Sequence, residues 1–115
     1  MKVWFQYAFN ISVPPNDEAT DVLRIEGDAD FEVHKIIGIE DGDYTVLVQD
    51  TGTGRYFQNY PVHVDNFAGS VEMPHKIEPE PIIFRKNSTL QIKVKNLTSA
   101  VNNIQIVFEG YKIIS

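Results

Sequence analysis

The sequence predicts an all-β domain, a single antiparallel β-sandwich of jelly-roll-like character, on three observations. Apolar and polar residues alternate at period two over long stretches near both ends of the chain. Between them, short apolar runs are fenced by Gly, Pro, Asn and Asp. No stretch repeats apolar residues at helical spacing, apart from one short turn around Asp65-Asn66-Phe67-Ala68. Roughly eight to ten short strands so spaced fit a sandwich, jelly roll or barrel. A two-sheet sandwich is favoured, because the long first strand and the late strands each carry one apolar face.

The elements follow in order. Val3, Phe5, Tyr7, Phe9, Ile11 and Val13 alternate with Lys2, Trp4, Gln6, Ala8, Asn10 and Ser12, which marks a long strand burying one face. Trp4 falls on the other face, against a second sheet or a neighbouring subunit. Pro14-Pro15 removes two backbone donors and ends the ladder, and Asn16-Asp17-Glu18 continues as a polar loop. Residues 22–25 form the next strand, closed by Gly27. Residues 31–39 follow, and the apolar pair Ile36-Ile37 interrupts their alternation and places a bulge there. Asp41-Gly42 reads as a hairpin turn leading into a strand over 44–48. Residues 50–54 turn the chain, and Arg55-Tyr56-Phe57 returns beside that strand. Residues 62–64 and 71–73 are shorter strand candidates, fenced by Pro61, Gly69 and Pro74. Ile82-Ile83-Phe84 follows Pro79 and Pro81. Leu90, Ile92 and Val94 alternate with Gln91, Lys93 and Lys95, giving a wet cationic face. Residues 96–99 turn into the alternating Ile104, Ile106 and Phe108, and Gly110 breaks the run before Tyr111.

Composition bounds the function. At 115 residues the chain fits one domain, 1–115, with no internal repeat and no linker long enough to split it. A chain of this size buries about two-thirds of its unfolded surface, enough for one core. The absence of cysteine excludes disulfides, thiolate metal sites and a cysteine nucleophile. Gln6 and Asn10 interrupt any signal-peptide core, and no apolar run approaches the roughly 20 residues that span a bilayer. The expectation is a soluble protein with no membrane partner. A net charge of −6 argues against unspecific nucleic-acid binding, which needs a basic surface. That charge is uneven: residues 1–54 hold 11 acids and 3 bases, residues 55–115 hold 5 acids and 7 bases. Its acidic side is either a solvated face or a surface for a basic partner.

The search for reaction chemistry assigns no catalytic, cofactor or metal residue. His34, His63 and His75 lack the short spacings of a metal site. No Gly-x-Ser-x-Gly turn is present, and Ser70 after Gly69 is too little for a nucleophile. Gly52-Thr53-Gly54 lacks the Gly-Lys-Ser/Thr ending of a phosphate loop and reads as a tight turn. The acidic groups Glu26, Asp28, Asp30 and Glu40, Asp41, Asp43 do not match the 12-residue calcium loop and read as solvated loop charge. Asn87-Ser88-Thr89 and Asn96-Leu97-Thr98 fit the glycosylation pattern but read as turns. Tyr56, Phe57 and Tyr60 cluster with Arg55 and Asn59, a surface for sugar stacking or a partner, although core packing explains them equally.

The last third carries a resemblance. Pro81-Ile82-Ile83-Phe84-Arg85-Lys86-Asn87-Ser88-Thr89-Leu90-Gln91-Ile92-Lys93-Val94-Lys95-Asn96 is a proline-led strand, a polar turn and an alternating strand ending at Asn. Ile104-Gln105-Ile106-Val107-Phe108-Glu109-Gly110-Tyr111-Lys112-Ile113 completes it. Together they resemble the end of the auxiliary decoration or cement proteins on the heads of tailed bacteriophages. The resemblance covers about 35 residues well, and the N-terminal strand loosely; it is a pattern of strands and turns. It implies a non-enzymatic virion structural protein that assembles in the bacterial host cytoplasm. Such a protein clamps neighbouring major capsid subunits, commonly as a homotrimer, and resists the pressure of packaged DNA. The interface expectations are Trp4, Tyr56, Phe57, Tyr60, Asp28 and Asp30. The alternative is a carbohydrate-binding adhesion module, at a phage tail or neck among other places.

Overall fold

The computed structural model describes residues 1–114. The long strand β1, Lys2–Val13, leads into β2, Glu18–Arg24, then β3, Asp30–Glu40, and β4, Tyr44–Asp50. Two-residue strands β5, Arg55–Tyr56, and β6, Val62–His63, precede a 3-10 turn at Val64–Asn66. Strands β7, His75–Lys76, and β8, Ile82–Phe84, are followed by β9, Thr89–Asn96, and β10, Asn102–Ile113.

The pairing is that of a rolled ribbon. β1 pairs with β10, β2 with β9, β3 with β8 and β7, and β4 with β5 and β6, all antiparallel. First thus meets last, and second meets last but one. Rolling the ribbon brings β3 beside β10 and β4 beside β9. The result is a front sheet β1-β10-β3, edged by β7 and β8, and a back sheet β2-β9-β4, edged by β5 and β6. This is the jelly-roll order, so the predicted antiparallel sandwich is present.

Inward residues of both sheets close one core. Tyr7, Phe9, Phe31, Ile36, Ile106 and Phe108 from the front meet Leu23, Tyr44, Val46, Val48, Leu90, Ile92 and Val94 from the back. Aromatic rings run through it edge to face: Tyr7 to Phe31 at 4.9 Å, Phe84 to Phe108 at 5.3 Å, Phe108 to Phe67 at 6.2 Å. Such pairs add about 0.5–1.5 kcal/mol each beyond their burial.

Several local expectations are corrected. β2 begins at Glu18, four residues before the apolar run, because Glu18 to Asp21 pair with Lys95 to Ile92. Asp41-Gly42 does not close a hairpin: β3 and β4 lie in different sheets, and the turn crosses between them. The irregularity in β3 sits at His34, not at Ile36-Ile37. Val33 pairs with Gly110 and Lys35 with Glu109, which leaves His34 as the extra residue. The alternation therefore changes phase there, turning Ile36 inward and Ile37 outward. Gly110 continues β10 rather than ending it. A Cβ on it would lie 1.7 Å from the Glu32 carbonyl oxygen, so only glycine admits this close approach. Residues 71–73 are not a strand; Val71 and Met73 are exposed, and His75–Lys76 pairs with β3 instead. Asn96 belongs to β9 and is fully buried.

Candidate docking surfaces

The front sheet presents an open outer face. From β1 it takes Trp4, Gln6, Ala8, Asn10 and Ser12, and from β10 their register partners Tyr111, Glu109, Val107, Gln105 and Asn103. β3 adds Glu32, His34, Lys35, Ile37 and Ile39. The two ends of this face differ. At the Trp4 end the groups are charged and mutually engaged: the Trp4 indole N–H donates to Glu109 Oε1 at 3.2 Å, and Lys2 Nζ lies 3.0 Å from Glu32 Oε1. The His34 ring meets Tyr111 edge-on at 5.3 Å, and its Nε2 lies 3.1 Å from Glu32 Oε1. That contact with His34, and then Lys2, holds the Glu32 carboxyl below the usual range.

The other end is built mainly of apolar and amide groups, with the exposed Asp41 carboxylate at its rim. Ala8, Val107 and Ile37 form a cross-strand apolar band, and the Asn10 and Gln105 amides bond to each other at 2.9 Å. Beside them Ile39 stands 71% exposed. A shallow depression of about 560 Å³ opens here over Asn10, Ser12, Ile39, Asp41, Asn103 and Gln105, with Asp41 Oδ2 accepting from the Asn103 N–H and Nδ2 at 2.9 and 3.0 Å. An isoleucine this exposed on a regular strand loses the burial that strand residues ordinarily gain.

The back sheet is wetter. Glu18, Thr20, Val22 and Arg24 of β2 stand beside Lys95, Lys93, Gln91 and Thr89 of β9. Lys93 Nζ pairs with Glu18 Oε2 at 3.1 Å. Beyond β4 lie Tyr56, 56% exposed, and Tyr60, 74% exposed, so of the two readings the sequence left open, core packing does not hold for them. Phe57 is partly withdrawn from solvent, its ring edge-on to Phe84 at 5.7 Å.

Asp28 and Asp30 lie elsewhere, at one end of the sandwich, and both have partners within the chain. Lys112 Nζ, buried on β10, bonds both Asp28 oxygens at 3.1 and 3.0 Å, pairs with Glu26, and sits 4.1 Å from the Phe5 ring centroid. Burial works to lower the Lys112 pKa, but bonds to Glu26 and Asp28 outweigh it and hold it above the usual lysine range. The bond from Lys112 likewise holds Asp28 low. Asp30 accepts from the Lys86 backbone N–H at 2.9 Å and from Arg85 Nη1 at 3.2 Å, and these also hold it low. The six interface candidates are therefore dispersed: Trp4 on the front face, Tyr56, Phe57 and Tyr60 beside the back face, Asp28 and Asp30 in ion pairs.

The three histidines stay apart. His34 packs on Tyr111, His63 Nδ1 accepts from the Asp65 N–H at 3.1 Å, and His75 Nδ1 lies 2.6 Å from the Phe67 carbonyl oxygen. Among the described residues, no group of three His, Asp or Glu is placed to hold a metal. Of the two glycosylation-like sites, Asn87 occupies a turn at φ 65°. The buried Asn96 ties the end of β1 to two loops, its Nδ2 donating to the carbonyls of Val13, Pro14 and Ala100.

No protein-family model matches the chain, and no curated protein matches it. Among solved structures, the Drosophila NLP-core, described as giving insight into pentamer formation and histone binding, aligns with a TM-score of 0.38. The identity is 11%, over 93% of this chain and 98% of that one.

Proposed function

We propose that this chain is a non-enzymatic structural protein of a tailed-phage head, a decoration or cement module. It docks on the major capsid protein and on copies of itself. The observation that carries the reading is the apolar and amide-rich end of the front face: Ala8, Ile37, Ile39 and Val107 among Asn10, Ser12, Asn103 and Gln105, with Asp41 at its rim. Neutral apolar and amide groups on a paired sheet face suit burial against another protein, since neither apolar area nor amides bring a charge to desolvate. Three strands of about 12 residues offer roughly 40 by 14 Å, or some 600 Å² over the whole face, of which this end is about half. A standard interface buries about 800 Å² per partner, so this end would form the centre of one and the rest of the face and its rim would complete it. The sequence resemblance over residues 81–113 supplies the phage context.

The test replaces Ile39 and Val107, both on the outer face, by Asp. Wild-type protein should sediment as an oligomer, a trimer in this reading, and should pellet with capsids of the major capsid protein encoded beside it. I39D/V107D should keep the wild-type circular dichroism yet lose both properties. A monomer that ignores those capsids would sink the proposal.

A further inference from the structure

We infer that the tyrosine shelf beside the back sheet is a second binding site, for a neutral glycan. The inference uses the opposite sheet from the proposed docking face and stands apart from that reading.

The shelf is built rather than loose. β4 is paired by Arg55–Tyr56 near one end and by Val62–His63 near the other, and residues 57–61 bridge the gap. The Phe57 N–H donates to the Val48 carbonyl at 3.0 Å. Gln58 then does the work of a strand with its side chain: its Oε1 accepts from the Val48 N–H at 2.9 Å and its Nε2 donates to the Val46 carbonyl at 3.4 Å. Residues 57 and 58 thus pin the segment, while Tyr56 and Tyr60 on either side remain exposed. Aromatic rings held out of the core by such anchoring leave more than half of their surface in water, which a ligand would cover.

The surroundings fix the class of ligand. Tyr56 forms the ridge between two shallow depressions. One, about 430 Å³, runs past Leu47, Asn59, Tyr60 and Pro61; the other, about 280 Å³, past Thr20, Gln49, Gln91 and Lys93. The charged group here is Lys93, which Glu18 already neutralises at 3.1 Å. Within this lining an anionic ligand finds only a lysine already paired with a carboxylate, while Arg55 and Lys95 flank the shelf outside it. The net charge of −6 disfavours nucleic acid. A peptide adding as a strand finds the Val48 N–H and Val46 carbonyl of β4 already occupied by Gln58. Tyrosine faces and uncharged amides match a pyranose instead. Its C–H groups meet the electron-rich ring face, and its hydroxyls meet amide donors and acceptors.

The experiment follows ¹H–¹⁵N spectra of the whole chain during titration with maltohexaose, cellohexaose, chitohexaose and mannohexaose, with heparin as the anionic control. Saturable shifts with at least one neutral oligosaccharide, centred on Leu47, Tyr56 to Pro61 and Gln91, are expected. Tyr56→Ala should weaken that binding about tenfold, and Tyr60→Trp should retain it. Both sites are exposed, and an unchanged melting temperature verifies the fold. Three outcomes overturn the inference: heparin alone binds, the shifts centre on the front sheet, or no neutral oligosaccharide shifts these residues. Failure of I39D/V107D to lose assembly would leave this site untouched, so the two proposals fail separately.

Discussion

Asn96 and Asn102 hold the loops at one end of the sandwich. Both are fully buried, and both satisfy their amides entirely on backbone and loop groups. Asn96 Nδ2 donates to the carbonyls of Val13, Pro14 and Ala100, while its Oδ1 accepts from the Thr98 N–H and hydroxyl. Asn102 Oδ1 accepts from the N–H groups of Asp41 and Gly42 at 3.0 and 3.1 Å. Removing such a hub strands several buried partners at about 1–3 kcal/mol each, partly offset by relaxation and water. Asn96→Ala should therefore cost about 3 kcal/mol in urea unfolding, against less than about 0.5 kcal/mol for the exposed Lys95→Ala. Acid sensitivity also belongs to single residues. Asp28, Asp30 and Glu32 all have carboxyls held low in the folded chain. Their stabilisation is complete above the unfolded values, about pH 4 to 4.5, and is lost as pH falls through the lower folded ones. Glu40 runs the other way: desolvation, then the charges of Asp65 and Asp43, raise it, so acid relieves it. Three groups outweigh one, and the melting temperature should drop below pH 4. Lys112→Met should flatten that drop by removing the Asp28 share; an unchanged slope would refute the assignment.

At the scale of elements, the legible strands were those with one wet and one buried face. Alternation in β1, β9 and β10 is a direct record of that asymmetry and gives most of their inward residues, but β9 runs on through Asn96 and β10 through Gly110. The turn at Asp41-Gly42 misled because turn chemistry reports local backbone freedom and says nothing of which sheet the next strand joins. The bulge misled similarly: the apolar pair at Ile36-Ile37 is the downstream result of a phase change at His34. β5 to β8 are two or three residues long, too short for any period, and are fixed by their partners. For the candidate surfaces, the sequence left Tyr56 and Tyr60 open between a surface and core packing, and the structure exposes both. The engagement of Asp28 by Lys112 was not, because the partners lie 84 residues apart in sequence. Gly110 shows what pairing adds. Gly110→Ala would drive its Cβ into the Glu32 carbonyl, and either the bulge or the β3–β10 ladder must yield. A loss of about 3 kcal/mol or more is expected, with hydrogen exchange quickening first at residues 31–35.

Across the whole molecule, the sandwich sorts its charges by end. The acids and bases that seemed divided between halves of the chain meet at one end, where Lys112 and Arg85 answer Glu26, Asp28 and Asp30. At the other end, loops from three connections converge: the Asn16 N–H donates to the Thr98 carbonyl, and the Leu97 N–H to the Asp43 carbonyl. There Asp43 and Asp65 face His63 at 3.6 and 3.7 Å, and Glu40 feels both aspartates. The excess negative charge thus gathers at the end that adjoins the apolar and amide rows of the front face, where Asp41 borders the Ile39 depression. Two modes of assembly are then separable by salt. Docking through the acidic end onto a basic partner would rest on exposed charges, which are screened beyond about 10 Å at 0.1 M salt, and should weaken more than tenfold between 50 and 500 mM NaCl. Docking through Ile39, Val107, Ile37 and the amides buries neutral surface and should change less than about twofold over that range. Sulfate, excluded from apolar surface, should strengthen it. Sedimentation of the protein alone and with capsids, across both salts, measures this. Steep weakening in NaCl would move the interface from the front sheet to the acidic loops, and with it the meaning of the exposed isoleucine.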